Sequence, residues 1–246
     1  MICTQNCRMI QEDCVHFLAS LEGSSVDLIF CDPPHGTVHE GISSPGQNFG
    51  FGHKVESDPI MGNSIEYLNW CEPWIRECHR VLAPTGNAFF MGTHNSIGWM
   101  LAASLIVGFQ TRNLITWSVT NPVPPLARRL TTSCTFVAWV VKSGKYYFDR
   151  AASRRFGNHR QLSDLWASRS MRKSEKHGHP MTKPEWLLER IISIWSLPGA
   201  LVVDPFFGSG TTAVVALRLG RRFAGCDVDP RAVAIAERRI GDVHHV

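Results

Sequence analysis

Three acidic residues, each closing a short apolar run, predict an α/β fold: a doubly wound, mostly parallel sheet with helices on both faces. The runs are Val26-Asp27-Leu28-Ile29-Phe30-Cys31 before Asp32, Leu201-Val202-Val203 before Asp204, and Arg222-Phe223-Ala224-Gly225-Cys226 before Asp227. Runs of this length, apolar and bounded by turn formers, read as strands buried on both faces. Stretches with helical spacing lie between them, and in such sheets ligands bind beyond the carboxyl ends of the strands.

Asp32-Pro33-Pro34-His35 ends the first run abruptly. Proline lacks an N–H and has a fixed φ, so the chain must leave the sheet at Pro33. Pro33 also biases Asp32 towards an extended backbone. A carboxylate and a carbonyl are thus held stiffly at the sheet edge, and both accept hydrogen bonds from a flat amino group. The same residues also suit a plain strand-to-turn exit.

The second run leads into Pro205-Phe206-Phe207-Gly208-Ser209-Gly210-Thr211-Thr212. Two glycines one residue apart allow a tight turn and close approach of backbone to a ligand. Ser209 or Thr211 is expected to cap a helix starting near Thr212. No lysine follows the second glycine, so this is not a phosphate loop. Asp227 lies roughly 20 residues farther on, where an acid holds ribose hydroxyls. The series fits a nucleoside cofactor without a pyrophosphate.

At these residues the chain resembles the amino-methylating DNA methyltransferases that use S-adenosyl-L-methionine. Asp32 to His35 matches their Asp-Pro-Pro-Tyr motif, and Asp204 to Thr212 matches Asp-Pro-Phe-x-Gly-Ser-Gly-Thr-Thr without a mismatch. His179-Pro180-Met181-Thr182-Lys183-Pro184 matches a His-Pro-x-x-Lys-Pro helix start. The catalytic motif precedes the cofactor motif, as in the permuted beta subclass. One departure stands out: the aromatic that stacks on the target base is His35 here.

The resemblance implies a Rossmann-like methyltransferase fold with a small basic target-recognition insertion, binding double-stranded DNA and S-adenosyl-L-methionine. The catalytic residues are then Asp32, Pro33, Pro34 and His35. The cofactor is expected at Asp13, Cys14, Asp32, Thr182, Lys183, the whole stretch Asp204, Pro205, Phe206, Phe207, Gly208, Ser209, Gly210, Thr211 and Thr212, and Asp227. Asp13 and Cys14 would meet its adenine, and Thr182 and Lys183 its methionine end. Asp13 equally suits a helix N-cap. Asp at position 32 leans towards adenine as target. The alternatives are cytosine-N4 methylation, methylation of RNA or of a protein glutamine, and a DNA-binding relic inactivated by His35. A cognate restriction endonuclease and a role in restriction-modification belong to the same expectation.

The 246 residues suit one domain with a substantial core. A hydrophobic fraction of 44% is that of a soluble globular protein, and a net charge of +4 requires any nucleic-acid footprint to be local. The eight cysteines form no Cys-x-x-Cys pair; Cys31 and Cys226 lie in strands, as reduced buried thiols. The N-terminus lacks a signal-peptide pattern, and the longest apolar run, Ile97 to Phe109, is too short to span a bilayer. A cytoplasmic protein without membrane contact is expected.

Residues 1–142 are expected to form the catalytic half, beginning with a strand and a helix between Met9 and Leu21. A long polar loop, 36–63, would lie over the site. A helix from Asn63 to Leu82, a strand Asn87–Met91, a helix Ser96–Val107 closed by Gly108, and strands Leu114–Val119 and Thr135–Val141 follow, the last two as a terminal hairpin. Trp70, Trp74 and Trp99 are expected in the core or at an interface rather than as base-stacking platforms. Asn121-Pro122 with Arg128 and Arg129 resembles a segment bordering the target-base pocket. Between Lys142 and Lys176 lie ten basic residues, among them Arg150, Arg154, Arg155, Arg160, Arg172 and Lys173, against Asp149, Asp164 and Glu175. Such residues neutralise phosphates, and the aromatics among them can stack on bases. By resemblance, 143–178 is the target-recognition insertion and 179–246 the cofactor-binding half, with a helix from Thr182 to Trp195 carrying Pro184 in its first turn. The recognition segment is short, so a homodimer is expected to supply a second DNA-binding surface.

Overall fold

The computed structural model describes residues 2–35, 65–122, 130–171, 175 and 182–243. The expected loop 36–63 and Arg128, Arg129, Arg172 and Lys173 lie outside them. Among the described residues nine strands form one sheet: β1 (Ile2–Cys3), β2 (Cys7–Gln11), β3 (Val26–Cys31), β4 (Leu82–Gly92), β5 (Gln110–Val119), β6 (Cys134–Val141), β7 (Leu165–Ser168), β8 (Leu201–Asp204) and β9 (Arg222–Asp227). Their order is β1-β2-β9-β8-β3-β4-β6-β5-β7. The run β2-β9-β8-β3-β4 is parallel, and β4-β6-β5 is antiparallel.

Among the described residues seven helices cover the sheet: α1 (Cys14–Ala19), α2 (Ile65–Val81), α3 (Ile97–Val107), α4 (Arg150–Phe156), α5 (Glu185–Trp195), α6 (Thr211–Arg218) and α7 (Pro230–Val243). Side chains alternate along a strand, so β3 and β4 feed two cores. Ile29, Cys31, Ala88 and Phe90 pack with Phe17, Tyr67, Trp74 and Met100 of α1, α2 and α3. Leu28, Phe30, Phe89 and Met91 pack with Leu187, Ile191, Val215 and Ala236 of α5, α6 and α7. Each Leu, Ile, Val, Phe or Met among them, fully buried, contributes about 1.5–3 kcal/mol. Asn87 is the polar exception, wholly buried and satisfied. Its carbonyl accepts from Trp139 Nε1 (2.9 Å), and its amide donates to the carbonyls of Tyr147 (2.9 Å) and Trp195 (3.2 Å).

Several elements differ from the sequence reading. The β5–β6 hairpin is not terminal, because β7 adds in parallel outside β5. Both β7 and α4 lie in the basic segment, whose charge masked the short apolar periodicity of Leu165 to Ser168 and Ala151 to Phe156. The described part of 143–178 is built into the main body: Phe148, Phe156 and Trp166 pack in the α5-side core. Strand β4 starts at Leu82, directly after α2, and passes through Pro84 and Gly86. Helix α5 starts at Glu185 with Pro184 as N-cap, and α6 at Thr211 with Gly210 as N-cap. Gly210 has φ +75°, and a Cβ there would stand 2.7 Å from Ala236 Cβ of α7, so helix packing and backbone together demand glycine. Among the described residues no helix is long and apolar enough to cross a membrane.

Candidate active site

Four neighbouring parallel strands deliver four acids to one sheet edge. Asp13 follows β2, Asp227 ends β9, Asp204 ends β8 and Asp32 follows β3. The order of the strands in the sheet sets the order of the acids along the edge, although the sequence separates them widely.

At the outer end Asp13 caps α1, accepting the backbone N–H of Val15 (2.8 Å) and His16 (3.2 Å). Cys14 is buried beside it, and burial, reinforced by Asp13, pushes its thiol up to about 12. Asp227 Oδ2 accepts the Gly208 N–H and Oδ1 that of Asp229, both at 2.9 Å. Each oxygen keeps a lone pair for a hydroxyl donor. Burial raises the Asp227 carboxyl above its ordinary value despite these donors. Val228, next to it, is 56% exposed.

The turn after β8 wraps Asp204. Oδ1 accepts the Phe206 N–H (3.0 Å) and Oδ2 the Thr212 hydroxyl (2.5 Å). Burial pushes the Asp204 carboxyl up to about 7, and these neutral donors offset only part of that rise. Phe206 leans on Trp74 and Trp70 of α2, centroids 5.3 and 6.1 Å apart. Ser209 and Thr211 do not cap α6. They hold Arg239 of α7, whose Nη1 donates to the Ser209 carbonyl (2.8 Å) and Thr211 Oγ1 (2.9 Å), while Nη2 meets Glu185 (3.2 Å). Arg239 and Glu185 carried no sequence signal, since each sits on an ordinary amphipathic helix.

At the inner end Asp32 Oδ2 is ion-paired with Lys183 Nζ. His35 Nε2 lies 3.3 Å from Oδ1 but outside hydrogen-bond alignment, so among the described residues Oδ1 is a buried acceptor with no aligned donor. Burial alone would raise the Asp32 carboxyl; Lys183 and His35 outweigh it and hold it down at about 2. Tyr67 of α2, fully buried, donates to the Pro34 carbonyl (2.8 Å) and fixes the double-proline turn. The other ring nitrogen of His35, Nδ1, is 3.4 Å from Ser96 Oγ at the start of α3. Tyr67 and Ser96 were not singled out from sequence, because an apolar helix face and a helix N-cap account for them there.

Thr182 is buried at the approach to α5. With Lys183 and Trp186 it lines a cleft of about 520 Å³ that Ser168, Arg169 and Met171, at and just after the end of β7, line as well. The basic segment and the lysine on Asp32 therefore share one cleft. Arg150, Arg154, Arg155 and Arg160 are exposed on and after α4, with no ion pair among the described residues.

The family model described as DNA methylase matches residues 26–238. The type II methyltransferase M2.DpnII of Streptococcus pneumoniae is 36% identical over 241 residues, 94% of this chain and 88% of that protein. The crystal structure of the M1.HpyAVI–SAM complex superposes with a TM-score of 0.68 at 26% identity, covering 95% of this chain and 98% of that one. The cytosine-N4-specific PvuII DNA methyltransferase shares the fold, with a TM-score of 0.73 at 21% identity over 98% of this chain and 92% of that one.

Proposed function

The chain belongs to the DNA methylase family of N6 and N4 amino-methyltransferases and is an S-adenosyl-L-methionine-dependent DNA methyltransferase, and from that premise we propose that it methylates the exocyclic amino group of a flipped adenine. The observation that carries the reading is Asp32: a partly buried carboxylate, held ionised, whose covered Oδ1 lacks an aligned donor.

An exocyclic amino group is a poor nucleophile because its lone pair is delocalised into the ring. Asp32 Oδ1 and the Pro33 carbonyl accept its two N–H groups and localise that lone pair as positive charge develops, which is electrostatic stabilisation by preorganised acceptors. Tyr67 keeps the turn rigid from the Pro34 carbonyl, one residue beyond. In a duplex the amino group is paired and out of reach, so the base is flipped. Asp at position 32 supports adenine over cytosine.

S-adenosyl-L-methionine supplies an electrophilic methyl on a sulfonium. The residues at the sheet edge fit it: the Asp227 oxygens have acceptor capacity for ribose hydroxyls, Val228 and Cys14 offer apolar walls to the adenine, and the turn Asp204 to Thr212 with Thr182 and Lys183 holds the methionine end. Arg150, Arg154, Arg155 and Arg160, with Arg128, Arg129, Arg172 and Lys173, are assigned to DNA phosphates. Residues 143–178 are read as the recognition segment between the catalytic and cofactor halves. A homodimer is part of the reading, supported by exposed Leu105 and Ile106 on α3, as are a cognate endonuclease and a cytoplasmic location.

The test is methyl transfer from labelled cofactor to unmethylated genomic DNA, followed by nucleoside analysis. Label in N6-methyladenine is expected. Label in N4-methylcytosine overturns the choice of base. Bound cofactor with no labelled DNA overturns the activity.

A further inference from the structure

Resting on that reading of Asp32, we propose that His35 is the base that receives the proton released by the target amino group, and that Ser96 holds its ring in the receiving tautomer. The need for a base follows from the balance of the reaction. Methyl transfer breaks one C–S bond and forms one C–N bond. It leaves a neutral thioether and an amino nitrogen bearing the new methyl, two hydrogens and a positive charge. One proton must then leave to give the neutral methylamino product. If the imidazole takes it, imidazolium forms and the total charge is unchanged.

Asp32 is the nearest acceptor to that proton but a poor base, since Lys183 on Oδ2 helps hold its carboxyl at about 2. It holds the proton by a hydrogen bond without removing it. His35 Nε2 lies 3.3 Å from Oδ1, the oxygen left open to the amino group, so a hydrogen bonded there is within reach of the ring. Neutral imidazole is the side chain best matched to such a transfer near neutral pH. The imidazolium it becomes stands against the Asp32 carboxylate.

The hydrogen bonds of Ser96 admit the tautomer this requires. Ser96 Oγ accepts the Thr93 N–H (3.0 Å), and its own hydrogen can go to the Thr93 carbonyl (3.5 Å) or the Thr93 hydroxyl (3.4 Å). The remaining lone pair can then accept from His35 Nδ1–H at 3.4 Å, the tautomer that leaves the ring lone pair on Nε2 to take a substrate N–H shared with Asp32 Oδ1. Among the described residues, the titratable and charged groups facing this site are few. Asp32 is on the same strand end and the Lys183 ammonium, without a lone pair, lies before α5. Tyr67 of α2 is committed to Pro34, and burial raises its hydroxyl far above the ordinary value. The family's aromatic at this position cannot take a proton; this chain has placed a titratable ring there.

The experiment measures single-turnover methyl transfer to genomic DNA with enzyme in excess, across pH, for wild type, His35→Phe and His35→Ala. Circular dichroism and cofactor binding check each fold. The wild-type rate is expected to fall as imidazole protonates. His35→Phe should be about 100-fold slower and lack that acid limb. Free imidazole should restore His35→Ala in proportion to its neutral form. Ring ¹⁵N NMR of the cofactor-free protein should show Nδ1 protonated, a preference lost in Ser96→Ala. A His35→Phe variant with the wild-type rate and profile overturns the proposal, as does an Nε2–H ring, or a folded His35→Ala that imidazole does not rescue. Should a variant misfold, the wild-type profile and NMR still decide. Cofactor bound by wild type with no DNA methylated overturns the underlying reading, a different outcome from any of these.

Discussion

Asp32 and Asp204 stand at the ends of adjacent parallel strands and each is followed by proline; Asp204 is buried and Asp32 partly so, with its Oδ1 covered, yet their protonation preferences are opposite. Burial raises both carboxyls. At Asp204 the opposing groups are neutral, a hydroxyl and a backbone N–H, and the carboxyl is pushed up to about 7. At Asp32 a lysine ammonium sits on one oxygen, and the carboxyl falls to about 2. Neutral hydrogen bonds soften the desolvation of a buried carboxylate; a cation reverses it. On the proposed reading Asp32 serves as a permanent acceptor, while Asp204 gives up its proton to solvent when an incoming cation such as the methionine ammonium pairs with its carboxylate.

The largest effect is expected from Asp32→Asn, which removes the charge but keeps the shape. Methyl transfer should fall by about 10²–10³-fold, the usual loss on removing one preorganised polar partner from a transition state. Cofactor affinity, read by calorimetry, should stay near wild type. An Asn variant with wild-type turnover would remove Asp32 from the mechanism.

Next in size is Lys183→Met, which gives Asp32 the cation-free environment of Asp204. Breaking this partly buried pair from one side should cost between about 1 and 3 kcal/mol, measured by urea unfolding at pH 7. The sign follows from linkage. A depressed carboxyl contributes stability above its ordinary value, 3.8, and that contribution is lost as pH falls through about 2. In the variant this acid loss should shift to higher pH, since burial is opposed only by His35.

The opposite slope belongs to Asp204. Its raised carboxyl contributes stability that is fully present below 3.8 and is lost as pH rises through about 7. Cofactor affinity should therefore strengthen as pH rises through 7, with proton release visible as a buffer-dependent heat of binding. Asp204→Asn should flatten both dependences. The smallest effect is expected from Thr212→Val, which removes one donor to Asp204. It should cost about 1 kcal/mol by thermal unfolding and raise the carboxyl further.

Much of this was legible in the sequence. Strands β3, β8 and β9 announced themselves as apolar runs closed by acids, and Gly108 marked the end of α3. The motif residues converge as the doubly wound pattern requires, because one chain direction carries every parallel strand end to the same edge. Strand β7 and helix α4 escaped notice because their apolar positions are few and lie among basic residues. Tyr67, Ser96, Glu185 and Arg239 escaped because their helices explain them without reference to a site.

The sequence by itself determined what its local patterns encode: the alternation of strand and helix, the stiff exit at Pro33, the tight turn at Gly208 and Gly210, and the acids that close three strands. Those properties reside in neighbouring residues and need no partner. The tertiary structure alone decided what each acid does. Lys183 reaches Asp32 across most of the chain, Tyr67 reaches Pro34 across 33 residues, and Arg239 reaches Ser209 across 30. Protonation depends on charges brought together through space and on water excluded around them, and folding fixes both only when the sheet edge is assembled.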